Sequence, residues 1–240
     1  MNEPFRFKEF IVRQDKTAMK VGTDGVLLGA WCSLESKPET ILDIGSGTGL
    51  ISLMMAQRSF AEVIDAVEID EQAYEQTVEN FEESDWGDRL FCYHSSFQEF
   101  ATEMKEEEET YDLIISNPPF YQNAYETSDE SRNKARFTFS LSFEDLLEGV
   151  SSILSEDGFF STIIPYAEEE QFIQIAKDNR LNLSRICRVK GNPKSKIKRS
   201  LLEFSFQNKE IQETKLVIEH GRHEYTTEYQ YLTKDFYLKM

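Results

Sequence analysis

From Ile41 onward the chain alternates short apolar runs rich in β-branched residues with longer stretches whose apolar side chains recur at helical spacing. That alternation is the pattern of βαβ units wound around a parallel sheet. It predicts strands at Thr40 to Ile44, Val63 to Glu68, Leu90 to Tyr93, Tyr111 to Ser116 and Gly158 to Ile164. Helices are expected between them at Gly49 to Arg58, Glu71 to Glu83, Phe97 to Lys105 and Phe143 to Leu154. A helical stretch, Tyr166 to Asn179, precedes two further runs, Leu183 to Val189 and Leu201 to Gln207, which read as a strand pair joined by a loop. If the first of them continues the parallel set, that loop opens at the carboxyl edge, where ligands bind in open α/β sheets. The head, Phe5 to Gln14, reads as one or two strands, and Thr23 to Leu34 as a helix capped by Thr23 or Asp24. The Tyr-rich tail from Leu216 carries no assignment beyond a hairpin around His220 to Arg222.

At 240 residues, with no internal repeat and no Pro/Gly/Ser linker, the chain reads as one domain. Its parts are an extension over 1–37, a core over 38–207 and a second extension over 208–240. Cys32, Cys92 and Cys187 are far apart, form no CxxC pair and have no histidine nearby to complete a zinc site. A reducing cytoplasm and no metal are therefore expected. The first residues, MNEPFRFKEF, lack an apolar leader region, and no stretch approaches the roughly 20 apolar residues of a membrane span.

The formal charge of −18 argues at first against a polyanionic partner. The average conceals a segregation, however. Arg185 to Arg199 (RICRVKGNPKSKIKR) holds seven basic residues and no acidic one, while acid collects in runs such as Glu106 to Glu109 and Glu168 to Glu170. Local field rather than net charge decides phosphate contact. The alternative for that basic stretch is a solvated loop.

The predicted first core strand runs directly into Gly45-Ser46-Gly47-Thr48-Gly49, with Asp43 two residues before the first glycine. Glycine permits both a tight turn and close approach of backbone to ligand. The spacing differs from the nicotinamide-dinucleotide fingerprint, whose third glycine falls one residue later. The second strand ends Glu68-Ile69-Asp70, about 20 residues beyond the loop, where a carboxylate accepts ribose hydroxyls. By reach alone either Glu68 or Asp70 serves. Loop and acid together point to a nucleoside cofactor without a pyrophosphate.

The fourth strand runs into Asn117-Pro118-Pro119-Phe120. Two prolines stiffen the turn, and their carbonyls still accept hydrogen bonds. An exocyclic amine on a purine is a poor nucleophile because its lone pair is delocalised into the ring. The Asn117 side-chain oxygen and the Pro118 carbonyl, aimed at its hydrogens, would draw electron density back onto nitrogen, while Phe120 stacks on the base. His94, His220 and His223 sit in no recognisable catalytic setting. A paired base cannot enter such a pocket, so the target would be unpaired or flipped out.

These residues resemble the class I methyltransferases of the [D/N/S]PP[Y/F/W] group. Met19 to Gly25 with Leu28-Gly29-Ala30-Trp31, Leu53 to Arg58, Ser84-Asp85-Trp86 and Arg132-Asn133-Lys134-Ala135-Arg136 narrow the likeness to the bacterial tRNA1(Val) adenine-N6-methyltransferases. The likeness spans Phe5 to about Gln207. It implies a Rossmann-like class I fold, with a seven-stranded mostly parallel sheet and an antiparallel strand near one edge. It also implies S-adenosylmethionine as cofactor and adenosine 37 of a valine tRNA as target, beside the anticodon.

Carried over by motif, Asp43, Gly45, Ser46, Gly47 and Gly49 would cradle the cofactor and Glu68 would hold its ribose, with Ile69 a further cofactor contact. Thr23 and Asp24 resemble the motif that closes over the methionine end. Ser95-Ser96 stands where many relatives have Asp, so the contact to the cofactor adenine is weakened or passes to Ser95 or Ser96, with Ser96 counted among the candidate cofactor residues. Phe120 replaces the commoner Tyr. Arg132, Lys134 and Arg136, with Lys190, Lys194, Lys196, Lys198 and Arg199, are the candidate RNA contacts of an expected monomer. The tetrapeptide specifies a planar NH2 group rather than its owner. Methylation of guanine N2 in ribosomal RNA or of glutamine in a release factor therefore stays open, as do a non-catalytic RNA-binding module and a nicotinamide oxidoreductase.

Overall fold

The structure is a computed structural model that describes residues 3–17, 19–118 and 141–239. Pro119, Phe120, Arg132, Lys134 and Arg136 lie outside the described residues. Two short strands, β1 (Phe5–Arg6) and β2 (Ile11–Val12), pair antiparallel and lead into α1 (Thr23–Trp31). The N-cap of α1 is Gly22, in extended backbone, with no side-chain cap bond. Neither Thr23 nor Asp24 caps the helix as the sequence suggested. Both lie one position too late, inside the first turn, where the Asp24 carboxylate faces the positive end of the helix dipole.

Five βα units follow as β3 (Thr40–Ile44), α2 (Leu50–Arg58), β4 (Val63–Glu68), α3 (Glu71–Glu82), β5 (Leu90–His94), α4 (Phe97–Glu106), β6 (Tyr111–Ser116), α5 (Phe143–Ile153), β7 (Leu154–Pro165) and α6 (Glu169–Asp178). Then come β8 (Asn182–Lys190), β9 (Ile197–Ser205), β10 (Gln212–Val217), the hairpin β11 (Glu219–Gly221) and β12 (Glu224–Tyr225), and α7 (Thr227–Thr233). Helix starts follow local chemistry. Asp70 caps α3 by accepting from Ala73 N, Ser142 caps α5, and Ser96 closes a reciprocal capping box with Glu99 on α4.

The main sheet runs β10-β8-β9-β7-β6-β3-β4-β5. β3 to β7 are mutually parallel, and β9 is antiparallel to both β7 and β8, the expected reversed strand near one edge. The sheet has eight strands where seven were expected. The addition is β10, which pairs parallel with β8 from Gln212↔Arg185 to Val217↔Lys190. Only Leu216 of β10 is buried, so no apolar alternation marks it in the sequence, and the ladder to β8 holds it in place.

Successive side chains point to opposite faces of a strand, and this sorts the core into two layers. Ile41 and Ile115 pack with α1 and α2 on one face, while Leu42, Ile44 and Ile114 pack with α4, α5 and α6 on the other. The tail closes on the head: α7 lies on α1, and Phe7 bridges to Tyr237. Among the described residues no helix is long and apolar enough to cross a membrane. Because β3 to β8, apart from their antiparallel neighbour β9, run the same way, their carboxyl ends share one rim. Gly45, Ile69, Ser95, Asn117, Tyr166 and Gly191 begin the loops along it.

Candidate active site

Strand β3 delivers the glycine loop to this rim. Gly45, Gly47 and Gly49 all have left-handed φ values, 72°, 61° and 74°. A Cβ on Gly45 or Gly47 would meet nothing within 4 Å among the described residues, whereas one on Gly49 would lie 2.6 Å from a Phe81 ring carbon. Thus the first two glycines border open space and the third admits α3. The loop is fixed from behind by α3: Thr77 Oγ1 donates to Gly47 O at 3.2 Å and Asn80 Nδ2 donates to Thr48 O at 2.8 Å. Ser46 Oγ, buried, stands 3.2 Å from Thr77 Oγ1.

Glu68, at the end of β4, reaches back to this loop. Its carboxylate accepts from Gly47 N at 2.8 Å and from Ile69 N and Asp70 N at 2.9 Å. A carboxylate offers about four lone-pair sites, so an acceptor position remains for a ligand hydroxyl. Asp70, the other acid within reach by sequence, is engaged as the cap of α3. Ile69 is partly exposed beside it. Ser96, the candidate adenine contact, exchanges hydrogen bonds with Glu99 in its capping box.

Asp43 is buried, and its Oδ2 accepts from both the amide and the hydroxyl of Ser52 at 3.2 and 2.7 Å. Its Oδ1 is buried without a partner among the described residues. Burial pushes the carboxyl up to about 6, assisted by the charge of Glu68 and opposed by the Ser52 bonds. The unfolded chain titrates near 3.9, so the fold holds this proton more tightly. The group's contribution is fully favourable below about pH 4 and is lost as pH rises through 6. Asp43→Asn is therefore expected to flatten the pH dependence of stability between about pH 4 and 6. It should also leave the ligand-free protein more stable at pH 7.5, by on the order of 2 to 3 kcal/mol, in urea unfolding. An unchanged slope would show that Asp43 is not the group responsible.

Asn117 follows β6, whose Ser116 is the direct neighbour of Ile44 on β3. The Ser116 hydroxyl donates to Ile44 O at 3.1 Å and locks the two strand ends together. Asn117 Oδ1 is buried with no hydrogen-bond partner among the described residues, and Pro118 beside it is buried. A buried acceptor left unsatisfied costs about 1 to 3 kcal/mol, so its survival marks an atom that waits for a donor. The first turn of α1 backs this residue: a Cβ on Gly25 would stand 3.9 Å from Asn117 Nδ2 and 3.1 Å from Leu50 Cδ2. Glycine loop, strand end and α1 thus converge on one cleft.

The basic segment is less uniform than its composition suggests. Arg185 pairs with buried Glu203 at 2.9 Å and lies 4.3 Å over the Trp31 ring, and Arg188 binds Glu169 at 2.6 Å and also Glu213. Arg199 binds Asp24 at 2.8 Å, joining β9 to the start of α1. Arg199, counted as an RNA contact from sequence, is thus engaged internally. Lys190, Lys194, Lys196 and Lys198 pair with no carboxylate among the described residues, and the last three are exposed around the β8–β9 turn on the rim. Thr23 is exposed at the start of α1. No metal-binding cluster occurs among the described residues. His94 stacks on Tyr74 at 5.2 Å. Sequence reasoning missed Gln76, Thr77 and Asn80, three buried polar positions on one side of α3, because polar residues in a helix ordinarily read as its wet face.

The methyltransferase small domain family matches residues 26–134. The chain is 58% identical over 239 residues to the tRNA1(Val) (adenine(37)-N6)-methyltransferase of Christiangramia forsetii, covering 100% of this chain and 99% of that one. It is 59% identical over 237 residues to the protein so named from Flavobacterium johnsoniae, covering 98% and 100%, and 46% identical over 241 residues to that of Bacteroides fragilis, covering both fully. Among solved structures, a predicted O-methyltransferase from Agrobacterium tumefaciens superposes with a TM-score of 0.67 at 19% identity, over 89% of this chain and 96% of that one. The ribosomal protein L11 methylase of Lactobacillus delbrueckii subsp. bulgaricus gives 0.51 at 17%, over 75% and 76%. At such identities these two bear on the fold alone.

Proposed function

Because the chain belongs to the tRNA1(Val) (adenine(37)-N6)-methyltransferase family, we propose that it transfers a methyl group from S-adenosylmethionine to the exocyclic N6 of an adenosine in tRNA. The specific target is adenosine 37 in the anticodon loop of tRNA1(Val), and the enzyme works as a cytoplasmic monomer. The guanine, glutamine, binding-module and nicotinamide alternatives recede, because the relatives that match over the whole chain carry the adenine activity in their names. The observation that carries the reading is adjacency: the glycine loop and Asn117 leave neighbouring, register-paired strands on the same rim.

The residues fit the cofactor. Among the described residues, open backbone at Gly45 and Gly47 leaves space at the loop, Glu68 keeps an acceptor position, and Asp43 Oδ1 lacks a partner. Gly45, Ser46, Gly47 and Gly49 would hold it with Asp43, while Glu68 and Ile69 would meet its ribose and Thr23 and Asp24 its methionine end. When bound, its sulfonium supplies an activated methyl, so no strong base is required. Asn117 Oδ1 and the Pro118 carbonyl accept the two N6 hydrogens and direct the nitrogen lone pair outward, which is alignment and electrostatic catalysis rather than proton abstraction. The extra proton leaves the methylated nitrogen afterwards. Pro119 and Phe120 would stiffen the corner and stack on the base.

Incubating tRNA with enzyme and methyl-labelled cofactor, then analysing the nucleosides by mass spectrometry, tests the reading. Labelled N6-methyladenosine is expected; label on guanosine, or none in RNA, would reject it. Arg132, Lys134 and Arg136 join the four lysines of the β8–β9 region as proposed phosphate contacts. Charge reversal at Lys194, Lys196 and Lys198 is expected to weaken tRNA binding at least about tenfold at low salt and to flatten its salt dependence. Cofactor affinity should not change. Unaltered tRNA binding would show that the turn is ordinary solvated surface.

A further inference from the structure

The segment between β2 and α1 is held against α3 by two amide side chains. Asn80, 1% exposed, accepts from Arg13 N at 2.8 Å and donates to Arg13 O at 2.9 Å, so it mimics one rung of a β-ladder. The same Nδ2 donates to Thr48 O in the glycine loop. Gln76, 0% exposed and one helical turn earlier, accepts from Lys16 N at 2.9 Å. Gln14 Oε1 then accepts from Val21 N, which brings the segment up to Gly22 and the start of α1.

These contacts close a ring. It runs from the glycine loop through Asn80 to Arg13 and along the segment into α1, whose Gly25 faces Asn117 with room for little more than a methyl group between them, and the Ser116–Ile44 bond leads back to the loop. The glycine loop assigned to the cofactor forms one side of that ring. The segment's ion pairs to α3 among the described residues, Arg13 with Glu83 and Lys16 with Glu75 and Glu79, are open to solvent, and water and salt weaken them. The buried amides are therefore the solvent-shielded polar links to α3, beside the apolar anchors Val12 and Val21.

We infer that Asn80 and Gln76 are positioning residues for cofactor binding: they hold the amino-terminal segment as a wall of the cleft without touching the cofactor. The inference rests on the cofactor reading given above. Coupling of this kind is reciprocal, so a ligand that favours the docked segment is held less tightly when docking is weakened, and in turn steadies the segment. Gln76 separates this role from distortion of the glycine loop, because its recorded side-chain bonds go to the segment and to Glu79 and none to the loop.

The test measures S-adenosylmethionine affinity by calorimetry, and amide exchange at Arg13 and Lys16 with and without cofactor, in the full chain and in Asn80→Ala and Gln76→Ala. In the unaltered protein, cofactor is expected to slow exchange at both amides. Each variant is expected to bind cofactor about tenfold more weakly, the scale of one lost hydrogen bond, with KM for the cofactor raised and kcat at saturation kept. Exchange in each variant should be faster without cofactor and slowed again by saturating cofactor. Folding is checked by thermal melts, and variants that retain a cooperative transition are compared. If both variants bind normally while exchange rises, the segment is no part of the site. If only Asn80→Ala weakens binding, Asn80 acts through the loop and the inference falls. If the unaltered protein binds no S-adenosylmethionine, the methyltransferase reading fails first and this one with it.

Discussion

Asn117→Ala is expected to lower methyl transfer at saturating cofactor by about 10² to 10³-fold, the range found when one preorganised polar group is removed from a reacting centre. The physical ground is the Asn117 oxygen, buried beside α1 and without a partner among the described residues. Alanine removes the acceptor while leaving the glycine loop and Glu68 untouched, so calorimetry should record cofactor affinity within about twofold of the unaltered value. Stability should hold or rise slightly, because an unsatisfied buried acceptor is a penalty that the folded protein bears. Single-turnover assays with labelled cofactor separate chemistry from binding. Retained turnover would strip Asn117 of its role, whereas lost cofactor binding would mean that the residue supports the cleft rather than the amine.

The three loop glycines should respond differently to the same methyl group. Gly49→Ala combines left-handed backbone strain of about 1 to 2 kcal/mol with overpacking of about 1 to 3 kcal/mol, since its Cβ would press 2.6 Å from Phe81. A loss of about 2 to 5 kcal/mol in urea unfolding is therefore expected, a large part of the 5 to 15 kcal/mol typical of a folded domain. Gly45→Ala and Gly47→Ala carry the strain without the clash, because their Cβ positions are open. Their stability should fall by only about 1 to 2 kcal/mol, while cofactor affinity drops at least about tenfold as the methyl intrudes on the cradle. Normal cofactor binding in both would mean that the open space beside them belongs to something else.

How far the sequence could be read follows from which forces are local. Thr40–Ile44, Val63–Glu68 and Tyr111–Ser116 agree with expectation to the residue, because central strands of a parallel sheet are largely apolar on both faces and these stop at a glycine, ahead of the helix cap Asp70, and at Asn-Pro. The glycine loop is equally legible, since turn chemistry is written in adjacent residues. What failed was long-range or context-bound. Arg185, Arg188 and Arg199 looked like free positive charge, but their acidic partners include Glu203, Glu169 and Asp24, far off in sequence. The α1 cap was misassigned because Thr and Asp are favoured cap residues, whereas the backbone turns at Gly22. The buried amides of α3 carry no signal of their own until the segment they grip is folded against them.

Strand β10 has a consequence for life in a crowded cell. A sheet that ended at β8 would leave a row of unpaired backbone donors and acceptors, a template on which another copy could zip itself into an aggregate. β10 occupies that row, and the side chains it turns outward are polar or charged over most of its length. The tail thus exchanges an apolar border for a polar, charged one.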